Sequence, residues 1–267
     1  MKVRVKFRKH GPVRFIGHLD VMRFFQKCIR RAGIDVAYTT GYSPHQIMTF
    51  AAPLGVGLTS DGEYMDIECN SVTTSQDMTE RFNRASAPGI EIVSVVLLPE
   101  GAGNAMASVA AAAYTVRFRE GREPSFDYLG KLEEFYCLPE ILITKETKKN
   151  TLTVDIRPGI YELWADRESR TIHMLVDASS SGNIKPAQIL EAYAAWQGET
   201  LAENAFTVHR CDTYLNLAAE EEARKLMPMD TIGTQITVPM VDEKRIQIAR
   251  EAERRRAEAN NMEEAET

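Results

Sequence analysis

The start of the chain alternates strictly between basic and apolar side chains. Residues 2 to 8 read Lys2, Val3, Arg4, Val5, Lys6, Phe7 and Arg8. A period of two is typical of a strand that buries one face and exposes the other. The pattern therefore predicts a half-buried strand whose outer face is positively charged.

A helical pattern follows between about His18 and Ala32. Asp20 suits the N-terminal end of a helix because of the helix dipole, and Gly33 is a common stop after the last turn. The apolar side chains that recur every three or four residues are Leu19, Met22, Phe25, Ile29 and Ala32. This spacing predicts an amphipathic helix with that stripe on its buried side.

The rest of the first hundred residues completes one predicted domain. A helix is expected over 74–86, where Thr74 can cap the first turn. Apolar runs between turn signals predict strands at 36–38, 47–50, 64–68 and 90–98. The order strand, helix, strand pair, helix, strand is the ferredoxin-like βαββαβ pattern. We therefore predict a basic N-terminal ferredoxin-like domain over residues 1–100.

The same order of elements returns after residues 101–113, which are small, flexible and predicted to be a linker. The predicted strands are 114–118, 141–143, 152–156, 172–176 and 206–210, with an extra strand near 160–165 and helices at 126–136 and 186–196. The sequence thus predicts an α+β fold of two tandem ferredoxin-like halves with antiparallel sheets, the second over 114–215. Residues 216–267 are predicted to be a charged tail, helical or disordered.

The composition is that of a globular protein outside a membrane. Of the 267 residues, 44% are hydrophobic and 26% are charged, which are ordinary values. No apolar run reaches the roughly 18 residues that a membrane helix needs. The basic N-terminus also lacks the continuous apolar stretch of a signal peptide. We therefore expect a cytoplasmic protein that does not bind membranes.

Signatures of cofactor or metal chemistry are missing from the sequence. The four cysteines are widely spaced and form no CxxC pair or iron–sulfur motif. They are Cys28, Cys69, Cys137 and Cys211. The sequence also has no phosphate-binding loop, no GxSxG and no HExxH. We therefore predict no cofactor, no metal and free, mostly buried, structural cysteines, and we favour a protein that is not an enzyme.

The charge is unevenly distributed along the chain. Residues 1–50 carry ten basic and two acidic side chains, a net charge of +8, whereas the remainder carries 22 basic and 36 acidic side chains. Such polarity suggests a polyanion or an acidic protein surface as partner. The alternative is that the basic and acidic parts of the protein pair with each other internally.

The predicted helix carries the best candidate for phosphate binding. Its basic side chains stand at i, i+4, i+7 and i+8 and share one side. They are Arg23, Lys27, Arg30 and Arg31. Together with Arg14 they could bind several phosphates, with an affinity that falls as salt rises. The alternative is a solvated helix face, which is what most charged stripes are.

The loop after the helix, Gly41 to Gln46, offers aromatic rings. Tyr42 and His45 could stack on an unpaired base, although the tyrosine could equally pack inward. Paired histidines can also cleave RNA without a metal, one as base and one as acid, and His18 and His45 are the candidates for that alternative. Spacings between the histidines of this segment fit no standard metal-ligand pattern.

Several of these segments match a known family. The matching runs are RFIGHLDVMR from Arg14, RRAGI from Arg30, GYSPH from Gly41, PLGVG from Pro53 and GEYMDI from Gly62. They resemble the bacterial radical-SAM-linked protein family, a domain of unknown function encoded beside or fused behind a radical SAM protein. The resemblance covers roughly residues 1–215. It departs from the family at Gln46 and Ile47, where the family loop carries proline and lysine.

The resemblance implies a radical SAM protein as working partner. It also hints at RNA, with ribosomal or transfer RNA as candidates, because members often lie near genes for ribosomal proteins and a ribonuclease. We therefore predict a non-catalytic accessory protein that binds RNA. The predicted contacts are Arg14, His18, Arg23, Lys27, Arg30, Arg31, Tyr42 and His45. The alternatives are a metal-independent ribonuclease and a protein-docking module without an RNA ligand.

Overall fold

The computed structural model describes residues 1–146, 151–218 and 222–265. The helices are α1 (His18–Arg31), α2 (Ser75–Ala85), α3 (Leu132–Tyr136), α4 (Pro186–Trp196) and α5 (Glu243–Ala265). The strands of the first half are β1 (Lys2–Lys9), β2 (Met48–Phe50), β3 (Thr59–Glu68), β4 (Ser71–Val72) and β5 (Ile90–Leu97). The later strands are β6 (Ala111–Phe118), β7 (Leu142–Glu146), β8 (Thr151–Asp155), β9 (Ile160–Asp166), β10 (Thr171–Asp177), β11 (Phe206–Asn216), β12 (Leu226–Pro228) and β13 (Met240–Val241). None of the helices within these ranges is both long and apolar enough to cross a bilayer.

The fold is α+β, and its main sheet is mostly antiparallel. The strand order is β5-β1-β3-β11-β6-β10-β9, with β2 beside β3 and β12 beside β11. Among the described strands, the pairing of β3 with β11 is the parallel one, and it joins the two halves at Thr59 and Ser60, opposite His209 and Arg210. Within each half the four main strands lie in the order fourth, first, third, second: β5-β1-β3-β2 and β11-β6-β10-β9.

Both pairs of helices pack on the same face of this sheet. In the first half, Phe7 of β1 contacts Phe25 of α1 with ring centroids 4.7 Å apart. In the second, Tyr114 of β6 belongs to the core beneath α3 and α4. Glu63 is the cross-strand partner of Phe7, and Arg210 binds both Glu63 and Tyr114. These side chains therefore point to one face, which is the helical face throughout.

Helix α1 confirms the predicted amphipathic helix but changes its buried stripe. The buried residues are Val21, Phe25, Cys28 and Ile29, whereas Leu19 is 60% exposed. Successive residues advance about 100° around a helix, so Leu19 stands about 200° from Val21. A stripe that begins at Val21 therefore leaves Leu19 facing solvent.

Several predicted elements have different bounds in the structure. The predicted strand at 36–38 reduces to isolated bridges at Val36 and Tyr38. The predicted helix 126–136 begins only at Leu132, because the Asp127 carboxylate accepts the Gly130 N–H and forms a turn instead. Strand β11 extends well beyond the predicted end at Arg210, to Asn216.

The predicted linker and tail are more ordered than the sequence indicated. In 101–113, Ala105 and Val109 are buried, and β6 already starts at Ala111. The predicted tail contains buried Met229 and Ile236. Its early part lies across the first half, where Thr234 pairs with Leu97 and Met240 with Val72. The charged helix of the tail is α5, and its first turn is held to the first half by an ion pair between Arg245 and Glu68.

Candidate functional site

Most of the basic side chains of β1 form ion pairs with carboxylates of the same chain. Arg4 is fully buried, and its guanidinium donates to both Asp66 oxygens at 2.7 and 2.9 Å and to the Met229 carbonyl. Lys6 Nζ lies 2.7 Å from Asp212 Oδ2. The chain segments that contain Ala105 and Met229 cover this part of the sheet. The alternative of internal pairing is therefore correct for Arg4 and Lys6 of β1.

The basic side chains of α1, by contrast, are exposed. Arg23 pairs with Asp20, at 3.3 Å and in solvent. Arg30 and Arg31 donate to the backbone carbonyls of Gln26 and Ala85. A backbone carbonyl leaves the positive charge uncompensated. The prediction that these side chains share one exposed side of the helix is therefore matched by their positions.

Helix α2 adds arginines to the same surface. Arg31, Arg81 and Arg84 line an open depression of about 600 Å³ between the two helices. Arg81 donates to the carbonyls of Ala32 and Gly33 at the end of α1, and also pairs with Asp77. Arg84 is exposed. We call the exposed set the α1–α2 cationic surface: Arg23, Lys27, Arg30, Arg31 and Arg84. Sequence reasoning missed Arg84 because α2 is distant from α1 along the chain.

The remaining predicted binding residues lie elsewhere. The Arg14 guanidinium stacks on Phe15, 4.7 Å from its ring centroid, and lines a cleft between the two halves. The His18 ring packs edge-on against Phe50. Tyr42 is 98% exposed, and His45 Nδ1 lies 3.1 Å from the Thr39 hydroxyl. Among the contacts of the described residues, none joins His18 to His45 or either of them to the α1–α2 cationic surface.

A different pair of histidines does meet in the structure. His10 Nε2 lies 2.7 Å from Asp61 Oδ1, and His209 Nε2 lies 3.2 Å from Asp61 Oδ2. The two imidazole centroids are 5.6 Å apart. His209 Nδ1 lies 2.9 Å from the Thr59 hydroxyl, and Arg8 Nε is 3.4 Å from Asp61. The side chains are about one-quarter to one-half exposed. No sequence signal linked His209 to Asp61, which is 148 residues away.

The surroundings shift the pKa values of this cluster. Burial raises the pKa of Asp61, but the hydrogen bond from His10 and the charges of His209, His10 and Arg8 outweigh it, so the net shift is downward. Burial lowers the pKa of His209, and the nearby Asp61 carboxylate offsets only part of this effect. His209 is therefore held mostly neutral and Asp61 charged at neutral pH.

A buried ion pair on the helical face holds the two halves together. Arg210 Nη1 lies 2.9 and 3.1 Å from the two Glu63 oxygens, and Arg210 also donates to the Tyr114 hydroxyl. Both charged side chains are about 6% exposed. Burial raises the pKa of Glu63, although the Arg210 charge opposes the shift. The pair joins β3 to β11 next to their short parallel pairing.

Residues 2–186 match a family described as an uncharacterized protein conserved in bacteria, DUF2344. The chain belongs to this family. No curated protein matches the sequence. Among solved structures, this DUF2344 chain is similar to one in the crystal structure of a Cbf5-Nop10-Gar1 complex, with 10% identity and a TM-score of 0.42. The match covers 79% of this chain and 48% of that one, so the chain spans about half the length of its structural neighbour.

Proposed function

We propose that this chain is a non-catalytic accessory protein that binds RNA phosphates on the α1–α2 cationic surface and works with a radical SAM enzyme. The observation that supports the proposal is the addition of Arg84 from α2 to the exposed cations of α1, beside Arg31. Two helices then offer their charges to one ligand. Each phosphate neutralised by such a side chain releases counterions, which favours binding.

The assignment of a radical SAM partner rests on the resemblance of residues 14–68 to the radical-SAM-linked family. Two of the four thiols fit a supporting role for this chain, whereas Cys137 is exposed and Cys211 is half-buried, so the prediction of buried cysteines is wrong for Cys137. Cys28 and Cys69 are buried, and burial raises the pKa of Cys69 to about 12. Thiols of this kind are poor metal ligands and nucleophiles. Co-purification of a radical SAM protein that survives nuclease treatment would favour direct docking, whereas loss on nuclease treatment would favour an RNA bridge.

We also interpret each half as a ferredoxin-like unit. The strand order fourth, first, third, second supports this interpretation in both halves, as does the placement of one helix before the second strand and one before the fourth. In the second half, the hairpin of β7 and β8 is then an insertion between the first helix and the second strand.

The decisive experiment is a charge reversal on α1. The triple variant Lys27→Glu, Arg30→Glu, Arg31→Glu should bind structured cellular RNA more weakly than the wild type across a salt series. If all three side chains contact phosphates, the slope of log K against log salt should also lose about three units. Fluorescence anisotropy with labelled RNA measures both quantities, and a thermal melt verifies folding.

A matched control is available on α5. The triple variant Arg250→Glu, Arg254→Glu, Arg255→Glu makes the same change in net charge on another exposed helix. It should reduce affinity much less than the α1 variant. Equal losses for the two variants, or wild-type affinity and slope for the α1 variant, would contradict the proposal. Cleavage of the RNA in the presence of chelator would instead favour the ribonuclease alternative.

A further inference from the structure

The face of the sheet opposite the helices is accessible in the second half: Thr115, His173 and His209 are half-buried there, and Arg117 and Trp164 are exposed. We call it the open face. One continuous row of side chains crosses it, and each member is the direct cross-strand partner of the next. The row is Thr59, His209, Thr115, His173 and Trp164, on β3, β11, β6, β10 and β9. The residues next to this row along the strands include Tyr114, beside Thr115, and Met174, beside His173. Both are buried in the core under the helices. The row itself therefore points away from the helices.

An aromatic stack stands at one end of this row. The rings of Trp164 and His173 are parallel within 1°, with centroids 3.9 Å apart. Trp164 is 49% exposed, although a tryptophan on a sheet usually buries its ring. Its strand β9 is the last in the order of the main sheet. Among the described strands of that sheet, none lies beyond Trp164, so one ring face is available to a ligand.

One positively charged side chain, Arg117, and two carboxylates, Asp166 and Glu162, lie near the stack. Arg117 is exposed next to it and donates through Nε to the Thr171 hydroxyl at 2.7 Å. Burial lowers the pKa of His173, Asp166 opposes the shift and Arg117 reinforces it, so the stacked imidazole is neutral at neutral pH. The Asp166 carboxylate accepts a hydrogen bond from the Ser169 hydroxyl.

The His10–Asp61–His209 cluster stands at the other end of the row. Arg8 pairs with the Asp61 carboxylate there, and both imidazoles lie within hydrogen-bonding distance of it. The face thus offers a planar stacking surface at one end and, beside it, the exposed guanidinium of Arg117. Three steps between strands separate Trp164 from His209, a distance of about 14 Å. A stacked strand rises about 3.4 Å per nucleotide, so several nucleotides can cross the row.

We propose that this open face binds single-stranded RNA. An unpaired base stacks on the Trp164–His173 pair, and the backbone runs along the row past Arg117 toward the His10–Asp61–His209 cluster. The choice of RNA rests on the proposed function. The site itself is separate, because the α1–α2 cationic surface lies on the other side of the sheet. The face is polar rather than apolar, which disfavours a protein partner here, since protein interfaces bury an apolar, charge-depleted core.

The test uses the full-length chain with Trp196→Phe as the background. The sequence has two tryptophans, so this substitution leaves Trp164 as the single fluorescent tryptophan. The probes are a single-stranded oligouridylate and a fully paired RNA duplex. Oligouridylate should quench Trp164 fluorescence, and duplex should not. Trp164→Leu should weaken oligouridylate binding by about 5- to 150-fold, the usual range for one stacked base. Trp164→Tyr retains a ring and should lose less.

The outcomes separate this inference from the proposed function. Wild-type oligouridylate affinity in Trp164→Leu, or no quenching in the background chain, overturns the stacking site even if the α1 charge reversal abolishes duplex binding. Conversely, loss of oligouridylate binding in Trp164→Leu with an unaffected α1 charge-reversal variant supports the stacking site and refutes the cationic surface. Quenching of Trp164 by a radical SAM protein but not by oligouridylate would make the open face a protein interface and overturn the inference.

Discussion

At the scale of single residues, the protein is shaped by where its charges find partners. Arg4 and Arg30 both carry a guanidinium, but Arg4 is buried against Asp66 and Arg30 projects into solvent. The sequence showed that both belong to a basic segment. Only the positions of Asp66 and Asp212 show that the strand cations are structural. Candidate binding residues are therefore the exposed cations whose charge has no carboxylate partner, such as Arg30 and Arg31 on α1.

Acidification is expected to destabilise the protein through its partly buried histidines. The pKa of His209 in the folded protein lies below its ordinary value of about 6.5, and burial also lowers the pKa of His173. The unfolded chain therefore takes up protons first as pH falls below about 6.5, which lowers the free energy of unfolding. The wild type should lose stability between about pH 7.5 and 5.5.

Substitution of the two histidines provides the check on this prediction. In the double variant His209→Asn, His173→Asn, the free energy of unfolding should vary less with pH over the same interval. Urea denaturation followed by circular dichroism measures it at each pH. Asp61 acts in a separate window: because its pKa is lowered in the folded protein, its contribution to stability is full well above its ordinary pKa of about 3.9 and is lost as the pH falls through that value toward the lower folded-state pKa. An unchanged pH dependence in the double variant would show that these histidines are not the cause.

At the scale of elements, local pattern predicted most helices and strands, but not the irregularities that join them. Strand β3 has a register shift against β1 between Phe7 and Lys9. The shift lies beside Gly62, at the point where β3 passes from β1 and β2 toward β11. On one side of the shift, Glu63 points to the helical face. On the other side, Asp61 points to the open face and meets His10 and His209. A period-two pattern carries no signal for such a reversal.

Gly62 is expected to be intolerant of any side chain. A Cβ atom at this position would lie 2.4 Å from Asp212 Cα, which is backbone and cannot move aside. Gly62→Ala should therefore cost about 1–3 kcal/mol of stability, as overpacking usually does. Gly55→Ala is the matched control, because its Cβ would meet only Leu58 at 3.6 Å. Chemical denaturation compares the two, and equal stabilities would argue against the close approach of β3 and β11.

At the scale of the whole molecule, the two halves share one sheet, and the backbone pairing between β3 and β11 that joins them is short. Polar contacts supply much of the remaining connection: Arg210 with Glu63, Lys6 with Asp212, and the Thr213 hydroxyl with the Gly62 carbonyl. Buried ion pairs add little net stability compared with apolar contacts, but they impose strict geometry. The relative position of the halves, and hence the continuity of the open face, depends on them.

Removal of Arg210 is expected to be costly because it leaves Glu63 buried and unpaired. Arg210→Leu should lower the free energy of unfolding by about 3–5 kcal/mol. The double variant Glu63→Leu, Arg210→Leu should be more stable than this single variant, since no unpaired charge remains. Urea denaturation of Glu63→Leu, Arg210→Leu and the double variant provides the comparison. A double variant that loses the sum of both single effects would show that the two side chains act independently.

The sequence by itself determined the α+β character, the basic helix with its exposed cations, and the approximate order of the elements. These features follow from local periodicity and composition, which neighbouring residues carry. Tertiary structure alone decided that the β1 cations are internal and that Arg84 joins α1. It also decided that His209 meets Asp61 and that Trp164 stacks on His173. Those pairings depend on strand register and on side chains distant in sequence, and no local pattern encodes which strand becomes the neighbour of which.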